Sequence, residues 1–303
     1  MPSLDGLIAL GLTLLLALWG EGDVPVLSTP EPGSSAQAGP GLTAMTFNLR
    51  YASPAPPHAW PRRRPVLRAL LEEQAPDVIG TQEGLHGQLQ DLAGDLPGYG
   101  WIGQGREGGT RGEFMAVFYR KDRLEPLEWD HFWLSRTPEV AGSRSWGCYL
   151  PRMVTWVRFR DRRDGRQFYF VNTHLDHLSW WARERSAGLI LRRVAGFRPD
   201  VPVLLVGDFN APAGRSRVYD LLVNPGAFQD TWVAAGRRGE AIGTFHNYRG
   251  PAPGGRRIDW ILAHGLVLTD SAEVVMFSRG GQYPSDHFPV VARLRLASPR
   301  DAS

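Results

Sequence analysis

Two polar side chains, Asp208 and Asn210, directly follow an apolar run that begins at Val201 and ends at Val206. Such a run is typical of a strand that is buried on both faces and ends in a polar turn. A strand end holds a carboxylate and a carboxamide rigidly at a cleft, where they can bind a metal ion or a water molecule. Asp and Asn also favour turns for purely local reasons. This stretch alone therefore leaves a capped turn and a reactive site equally open.

Other predicted strands also end in acids, amides or histidines. Oxygen-rich side chains of this kind suit Mg²⁺ or Mn²⁺ better than zinc, because the chain has only one cysteine and no HExxH sequence. Asp286 and His287 place an acid and an imidazole side by side before the last predicted strand. A metal, a base and an imidazole are the groups that hydrolysis of a phosphoester requires. The whole set is Asn48, Glu83, His174, Asp208, Asn210, Asp259, Asp286 and His287.

Hydrophobic patterns predict the elements that position these side chains. Strands and helices alternate at first, and several strands then follow without long helices between them. This order favours an α/β (α+β) fold in which two sheets pack together with helices outside. Apolar residues at helical spacing predict helices over 61–74, 85–96 and 179–196. Apolar or alternating runs predict strands over 42–50, 77–83, 114–120, 124–134, 153–160, 167–174, 201–206, 257–263, 266–275 and 288–296.

A series of short motifs, in order along the chain, resembles the endonuclease/exonuclease/phosphatase superfamily, the fold of pancreatic-type deoxyribonucleases and apurinic endonucleases. The motifs are TFNLR, TQE, GEFMAVFYR, PRMVTW, NTHLDH, GDFN, RIDWIL and PSDHFPV, and they extend from Leu42 to about Leu296. The resemblance implies a four-layered α/β sandwich, with two mixed, mainly antiparallel sheets packed face to face and helices outside. It also implies a divalent-metal-dependent phosphoesterase whose site lies across the edges of both sheets.

The resemblance further implies roles for single residues at the predicted strand ends. Glu83 matches the acid that binds the metal, Asn48 matches the asparagine beside it, and Asp286 matches a further acid close to the metal. Asp208 matches the aspartate that activates the attacking water. Asn210 matches its partner on the side of the phosphate and the metal. We therefore expect Mg²⁺ or Mn²⁺ as the cofactor.

The remaining matches concern the histidines and the substrate phosphate. His287 matches the histidine that contacts and stabilises the phosphate, and Asp259 matches the carboxylate that orients this histidine. His174 matches a second catalytic histidine, with Glu113 in the place of its acidic partner. A structural ion pair between His174 and Glu113 inside the sheet is the alternative. Arg152 resembles an arginine that contacts the phosphate.

Arginines offer structural alternatives at two places. A buried carboxylate needs a partner, and Arg257 competes with His287 for Asp259. The three arginines at 62–64 begin a predicted helix. A charge run is more often a solvated face than a phosphate contact, so we expect a solvated helix face there.

The start of the chain predicts export. The apolar run from Leu7 to Trp19 has the length of a signal-peptide core, although no Lys or Arg precedes it. We expect a signal peptide or N-terminal anchor over 1–20, a flexible linker over 21–41, one catalytic domain over 42–297 and a disordered tail over 298–303. We expect no membrane span beyond that possible anchor. The expected location is secreted or attached to the cell envelope, with a cytoplasmic location as the alternative.

The sequence indicates the class of reaction more clearly than it indicates the substrate. Lys121 is the single lysine in a chain of formal charge +3, and the arginines are scattered among acids rather than collected in the basic face of a nuclease. We expect a monomeric phosphoester hydrolase, with a phosphodiester as the first expectation. A nuclease, a lipid esterase of the sphingomyelinase or phosphoinositide type and a sugar-phosphate esterase are alternatives. A non-catalytic binding protein on the same scaffold is a different class, and the completeness of the polar set argues against it.

Overall fold

A computed structural model describes residues 41–223 and 226–296 of the chain. The predicted signal peptide or anchor, the linker up to residue 40 and the predicted tail lie outside the described residues. Across the two described ranges, no helix combines the length and the apolar character needed to cross a membrane.

Strands dominate the described part of the chain, and the longer helices lie between them. The strands are β1 (Leu42–Asn48), β2 (Val78–Gln82), β3 (Gly84–Leu85), β4 (Tyr99–Ile102), β5 (Glu113–Phe114), β6 (Val117–Arg120), β7 (Leu124–Trp133), β8 (Met153–Asp161), β9 (Gln167–His174), β10 (Val203–Asp208), β11 (Gln229–Asp230), β12 (Arg237–Arg238), β13 (Asp259–His264), β14 (Val267–Val274) and β15 (Val290–Leu296). The helices are α1 (Trp60–Gln74), α2 (His86–Asp95), α3 (Trp180–Val194), α4 (Arg217–Leu222) and α5 (Thr231–Ala234).

Most of the strands form two large mixed sheets. The first has seven strands in the order β12-β14-β15-β1-β2-β6-β4, and the second has six in the order β11-β13-β10-β9-β8-β7. Strands β3 and β5 form a separate two-stranded sheet. Apolar side chains of both large sheets, among them Ala44, Val78, Val206 and Ile261, form one buried cluster, so the two sheets pack face to face.

Helices cover the outer faces of both sheets. Helix α1 packs through Leu67 and Leu70 on the outside of the first sheet, and α3 packs through Ile190 and Leu191 on the outside of the second. The order helix, sheet, sheet, helix confirms the predicted four-layered α/β sandwich with helices outside.

Each large sheet has a central strand whose C-terminal end carries a site residue. Strand β1 lies between antiparallel β15 and parallel β2, and β10 lies between antiparallel β13 and parallel β9. Parallel neighbours end at the same edge of a sheet. Asn48 on β1 is therefore next to Gln82 on β2, while Asp208 on β10 is paired with His174 on β9 and with Asp259 on β13.

The two sheets approach each other closely where β2 faces β9. A Cβ atom at Gly80 would lie 2.9 Å from the side-chain amide of Asn172, so the glycine permits this approach. Asn172 Nδ2 donates to the carbonyl of Thr81 at 2.9 Å, and Gln82 Nε2 donates to Asn172 Oδ1 at 2.7 Å. These buried amides tie the sheets together immediately beneath the polar strand ends.

The predicted elements are present with shifts of one or two residues at most ends. Helix α1 begins at Trp60 rather than at 61, and the last strand begins at Val290 rather than at 288. The strand predicted over 77–83 ends at Gln82, because Glu83 has a left-handed backbone with φ of 62°. The sequence does not reveal β4, an edge strand of four half-buried residues that includes Gly100.

Candidate functional site

Asn48, at the end of β1, links two carboxylates. Its side chain is buried, and Nδ2 donates to Glu83 Oε1 at 3.0 Å and to Asp208 Oδ2 at 3.1 Å. The carboxamide is held in place because Oδ1 accepts from the backbone N–H of Arg50 at 3.0 Å. The backbone N–H of Tyr51 donates to Glu83 Oε2 at 3.3 Å. One amide thus holds together an acid from each large sheet.

Asp208 ends β10 and is almost completely buried. The backbone N–H of Asn210 donates to Asp208 Oδ1 at 2.8 Å. Asn210 itself is left-handed, with φ of 49°, a conformation that asparagine tolerates better than most residues. Its Nδ2 donates to the carbonyl of Leu175 at 3.0 Å and to His174 Nε2 at 3.1 Å. The turn after β10 therefore caps the strand and joins two site residues at the same time.

His287 and Asp259 form a buried pair beside Asp208. His287 Nδ1 donates to Asp259 Oδ2 at 3.0 Å, and His287 Nε2 lies 3.8 Å from Asp208 Oδ2. Arg257, the competing partner for Asp259, instead pairs with Asp230 at 2.5 Å. The imidazole therefore lies between two carboxylates, with Nδ1 toward Asp259 and Nε2 toward Asp208.

This arrangement shifts the pKa values of both partners upward. Burial disfavours the charged imidazolium of His287, but the charge and hydrogen bond of Asp259 and the charges of Asp208 and Asp286 outweigh it and raise the pKa to about 10. Burial, followed by the charge of Asp259, raises the pKa of Asp208 to about 7, against the opposing charge of His287. Near neutral pH, His287 carries a positive charge and Asp208 can take up or release a proton.

His174 lies on the other side of Asp208 and is neutral. Burial, followed by the positive charges of Arg152 and Arg106, lowers the pKa of His174 well below 6.5. Its Nε2 accepts from Asn210, so the proton of the neutral ring is on Nδ1, which has no hydrogen-bond partner among the described residues. Nε2 lies 3.6 Å from Asp208 Oδ2. Two histidines in different protonation states therefore flank one carboxylate.

The contacts of Glu113 differ from those implied by the resemblance. Glu113 forms an ion pair with Arg106 at 2.5 Å, and neither the catalytic pairing with His174 nor the structural ion pair between them is present among the described contacts. The cause is the hairpin between the two residues, in which the Arg106 N–H donates to the Glu113 carbonyl at 2.9 Å. This backbone pairing places the guanidinium beside the acid. Burial still raises the pKa of Glu113 to about 7, although the charge of Arg106 opposes the shift.

Arg152 is buried close to His174 and retains free hydrogen-bonding capacity. Its Nη2 bonds His177 Nδ1 at 2.9 Å, and its Nε lies 3.8 Å from Asp176 Oδ2. Nε and Nη1 have no hydrogen-bond partner among the described residues. Buried polar groups are normally satisfied, so a guanidinium with two unsatisfied groups can receive an anion. This is compatible with the phosphate contact that the sequence predicts for Arg152.

Asp286 lies at the entrance to β15, next to His287. Arg50 Nη1 lies 3.5 Å from Asp286 Oδ2, and Ser285 Oγ donates to Asp286 Oδ1 at 3.3 Å. Ser285 Oγ also donates to the Asn48 carbonyl at 2.6 Å. The serine therefore connects the Asp286 segment to the end of β1, a role that its small size and loop position gave no reason to predict.

Arg63 organises these loops, and the expectation of a solvated face is wrong for it. Arg62 is exposed, but Arg63 is fully buried because α1 turns this side chain toward the strand ends. Its guanidinium donates to backbone carbonyls in the segment after β1 and in the segment before β15. Only the three-dimensional approach of these segments reveals this role. The carbonyls belong to Leu49, Arg50, Tyr51, His58 and Pro284.

The donor atoms at this site fit a hard divalent cation. Glu83 and Asp208 offer carboxylate oxygens, which Mg²⁺ and Mn²⁺ prefer, and the Asn48 Nδ2 holds the two acids next to each other. Asp208, Asp259 and His287 also offer ligand atoms within 4.8 Å of one another. His287 is charged and donates through Nδ1, so that second group is better suited to proton and charge transfer than to binding a cation. Glu83 is therefore the acid that would hold the ion, and Asn48 keeps it next to Asp208. A place for Asp286 at the metal stays a prediction.

Comparisons with known proteins agree with this geometry. The sequence model of the Endonuclease/Exonuclease/phosphatase family matches residues 45–287. An endonuclease/exonuclease/phosphatase from Bacteroides vulgatus has 34% sequence identity and a TM-score of 0.81, covering 85% of this chain and 100% of that one. A mannosyl-6-phosphatase from Bacteroides thetaiotaomicron has 35% identity and a TM-score of 0.79, covering 84% of this chain and 99% of that one.

A more distant relative is nocturnin from Drosophila melanogaster. It is 26% identical over an alignment of 287 residues, which covers 80% of this chain and 43% of nocturnin. The chain thus spans less than half the length of that relative. The family match covers most of the described residues, including both central strands and every polar strand end of the site. The chain belongs to the endonuclease/exonuclease/phosphatase family.

Proposed function

We propose that the protein is a Mg²⁺- or Mn²⁺-dependent hydrolase of phosphoesters whose preferred substrate is a small phosphorylated sugar. The observation that carries the reaction is the environment of Asp208. A neutral His174 Nε2 lies 3.6 Å from its Oδ2, and a charged His287 Nε2 lies 3.8 Å from the same atom. Carboxylates and histidines whose environments separate their pKa values are typical of acid and base assignments in hydrolases.

Different residues contribute proton transfer and charge stabilisation to an in-line attack by water on phosphorus. Asp208, with a pKa of about 7, accepts a proton from the water as the water oxygen bonds to phosphorus and the bond to the leaving oxygen breaks. The leaving oxygen takes up a proton from solvent and departs as the alcohol. His287, with a pKa of about 10, presents positive charge to the phosphoryl oxygens, where negative charge increases in the transition state. Asp259 keeps His287 charged and oriented.

Asn210 and Arg152 complete the arrangement on the substrate side. Asn210 is fixed by the Leu175 carbonyl and holds His174 in one tautomer. Arg152 offers Nε and Nη1, which have no hydrogen-bond partner among the described residues, to a phosphoryl oxygen. A cation held at Glu83 would supply additional positive charge for the phosphate.

The surface around the site favours a small substrate over a nucleic acid. Tyr51 and Phe245 are exposed beside Glu83 and His287 and offer flat apolar surfaces at the rim. Away from the site, at the opposite ends of the strands, surface arginines are paired with acids, so that surface has no continuous basic face for a polyanion. The similarity to a mannosyl-6-phosphatase supports a phosphate monoester of a sugar over the diester that the sequence first suggests. The arginine pairs include Arg120–Asp122, Arg158–Glu128, Arg198–Asp200 and Arg295–Asp270.

The test is hydrolysis by the purified chain with Mg²⁺ or Mn²⁺. The substrates are mannose 6-phosphate, p-nitrophenyl phosphate, bis-p-nitrophenyl phosphate, sphingomyelin and plasmid DNA. We expect release of inorganic phosphate from the two monoesters, at a higher kcat/KM than for the diester. Preferential cleavage of the diester, the lipid or the DNA would reassign the substrate. No turnover of any of them with either metal would support the binding-protein alternative.

The His287→Ala variant should abolish this turnover. His264 provides a matched control, because it lies at the other end of β13 from Asp259 and its Nδ1 bonds the Ala227 carbonyl. His264→Ala should keep the activity. Equal losses in both variants would mean that the effect of His287→Ala is on folding rather than on the reaction.

A further inference from the structure

A surface cavity of about 400 Å³ adjoins the site and has no role in the reaction described above. Its lining includes Arg111 and Arg144, together with Glu107, Tyr149 and Pro151. We call it the Arg111–Arg144 cavity. Its volume lies within the range of pockets that bind small ligands.

The first wall of the cavity is a compact loop between β4 and β5. Gly105 N donates to the Gly109 carbonyl at 2.8 Å, and Glu107 N donates to the Arg111 carbonyl at 3.2 Å. A Cβ atom at Gly105 would lie 2.0 Å from the Arg111 carbonyl oxygen, so this turn requires glycine. The backbone of Arg111 is therefore held by several contacts rather than carried on an open loop.

The second wall is the loop between β7 and β8, which is bonded internally. Ser135 Oγ and Ser143 Oγ lie 2.7 Å apart, and the backbone N–H of Arg136 donates to Ser145 Oγ at 3.0 Å. Ser179 Oγ, just before α3, donates to the Trp146 carbonyl at 2.9 Å. The small polar residues of this loop thus hold it together and present Arg144 from a defined backbone.

The two loops come from different large sheets and touch each other. A Cβ atom at Gly108 would lie 3.4 Å from Ala141 Cβ, and one at Gly142 would lie 3.8 Å from Glu107 Cα. These are ordinary contact distances. The cavity is therefore a cleft between two packed loops.

The charge of the cavity favours an anion. Arg111 Nη2 donates to the Glu107 carbonyl at 3.0 Å, and Arg144 Nη1 donates to the Tyr149 carbonyl at 2.6 Å. Neither guanidinium has an ion pair with an acid among the described contacts, and each keeps further N–H groups for a ligand. Glu107 contributes one negative charge against these two positive charges. Tyr149 is 71% exposed and offers a flat ring to a sugar.

The cavity lies next to two buried arginines of the catalytic site. Glu107 and Pro151 are the chain neighbours of Arg106 and Arg152, the two buried arginines whose positive charges act on His174.

We propose that the Arg111–Arg144 cavity binds a second phosphate group of the sugar substrate, on the side opposite to the phosphoester that is cleaved. This inference rests on the proposed function and narrows it to bisphosphorylated sugars. Arginine binds a phosphate through paired N–H donors, and the cavity presents two guanidinium groups. The second phosphate then orients the sugar so that the first phosphate meets Asp208 and His287.

The test compares mannose 1,6-bisphosphate with mannose 6-phosphate. For the unmodified chain we expect kcat/KM to be about tenfold higher for the bisphosphate, as charge-assisted hydrogen bonds at a half-open site allow. In the double variant Arg111→Gln/Arg144→Gln this ratio should fall to about one, through a higher KM for the bisphosphate. The matched control is Arg237→Gln/Arg238→Gln, which removes two exposed arginines from β12 at the opposite edge of the first sheet from β4. This control should keep the tenfold ratio.

Calorimetry separates failure of this inference from failure of the proposed function. Binding of mannose 1,6-bisphosphate is measured to Asp208→Asn, alone and combined with Arg111→Gln/Arg144→Gln. About tenfold weaker binding in the combined variant supports the cavity even when no sugar phosphate is hydrolysed. Equal affinities overturn the cavity assignment, as does an unmodified chain that hydrolyses mannose 6-phosphate and the bisphosphate with equal kcat/KM.

Discussion

Asn48 Nδ2 lies 3.1 Å from Asp208 Oδ2, and this single hydrogen bond connects the ends of the central strands of two different sheets. The same Nδ2 holds Glu83 at 3.0 Å. The acid that would bind the cation and the acid that would accept the proton therefore share one amide donor. The separation between them depends on how β1 and β10 pack.

Replacing this amide tests whether it sets the geometry. Asn48→Ala removes the common donor of one buried carboxylate, Asp208, and one half-buried carboxylate, Glu83. We expect kcat to fall about 100-fold and the free energy of unfolding to fall by about 1–3 kcal/mol. Steady-state kinetics and urea unfolding measure the two effects. Gln90→Ala removes an exposed amide side chain from α2; it is the control and should change neither quantity. A variant at Asn48 with unchanged kcat would contradict the linking role.

The pair of Asp259 and His287 predicts a pH effect on stability. The folded-state pKa of His287, about 10, lies above its ordinary value of 6.5. Its protonation therefore stabilises the metal-free fold fully below pH 6.5, and the contribution is lost as the pH rises toward 10. Asp259→Asn removes the charge that sustains the shift. The pKa of His287 should then fall, and stability should depend less on pH across this window.

Nuclear magnetic resonance titration of the His287 ring in the metal-free protein measures the first quantity, and urea unfolding at several pH values measures the second. His131→Ala is the control variant. Burial lowers the pKa of His131, so this histidine does not share the upward pKa shift of His287. An unchanged titration of His287 in Asp259→Asn would mean that Asp259 does not set its charge.

Metal removal predicts loss of activity without loss of fold. EDTA should abolish phosphate release, and Mg²⁺ or Mn²⁺ should restore it. The added ion should also raise the melting temperature, because a ligand that binds only the folded state stabilises it by mass action. Glu83→Gln should need a higher metal concentration for half-maximal activity. Full activity in excess EDTA would remove the cation from the proposal.

The buried ion pairs of Arg123 predict a position where a substitution strongly destabilises the fold. Arg123 is buried between Asp77 and Asp161 and pairs with both, at 2.9 Å in the case of Asp161. Asp77 also accepts from the backbone N–H of Thr43 at the start of β1, at 2.8 Å. Arg123→Met leaves two buried acids without their cation, and we expect a loss of about 3–5 kcal/mol in the free energy of unfolding.

Arg68→Met is the matched control for this change. Arg68 pairs with Glu72 four residues along α1, and both side chains are about half exposed. The control should leave the urea midpoint nearly unchanged, because surface ion pairs contribute little. A small effect of Arg123→Met would show that the two acids become hydrated or protonated without cost.

The elements and their polar ends follow from local sequence, but the choice of partners does not. The apolar run before Asp208 predicts a buried strand with a carboxylate at its end, and that is where the structure has it. Whether Asp259 meets His287 or Arg257 depends on the antiparallel register of β10 and β13, which pairs Asp208 with Asp259. No local pattern encodes that register. The sequence therefore leaves this pair open.

The contacts of Arg63 and of Glu113 differ from those expected from the sequence, and the physical reason is the same for both. Arg63 looks like part of a charged helix face because its neighbours do, and only the approach of two distant loops makes it a buried donor. Glu113 looks like a partner for His174 because family motifs align, but a hairpin gives it Arg106 first. A long side chain pairs with the group that the fold brings nearest to it. The spatial distance between residues far apart in the chain cannot be seen in the sequence.

The buried amides between the sheets also affect how the protein loses activity on heating. Gln82 directly precedes Glu83, and Asn172 lies two residues before His174, so the bond between the two amides anchors one reacting group of each sheet. These groups cannot separate while the core remains packed. Inactivation by heat should therefore follow the unfolding transition itself, with no earlier phase in which an intact fold has already lost its turnover.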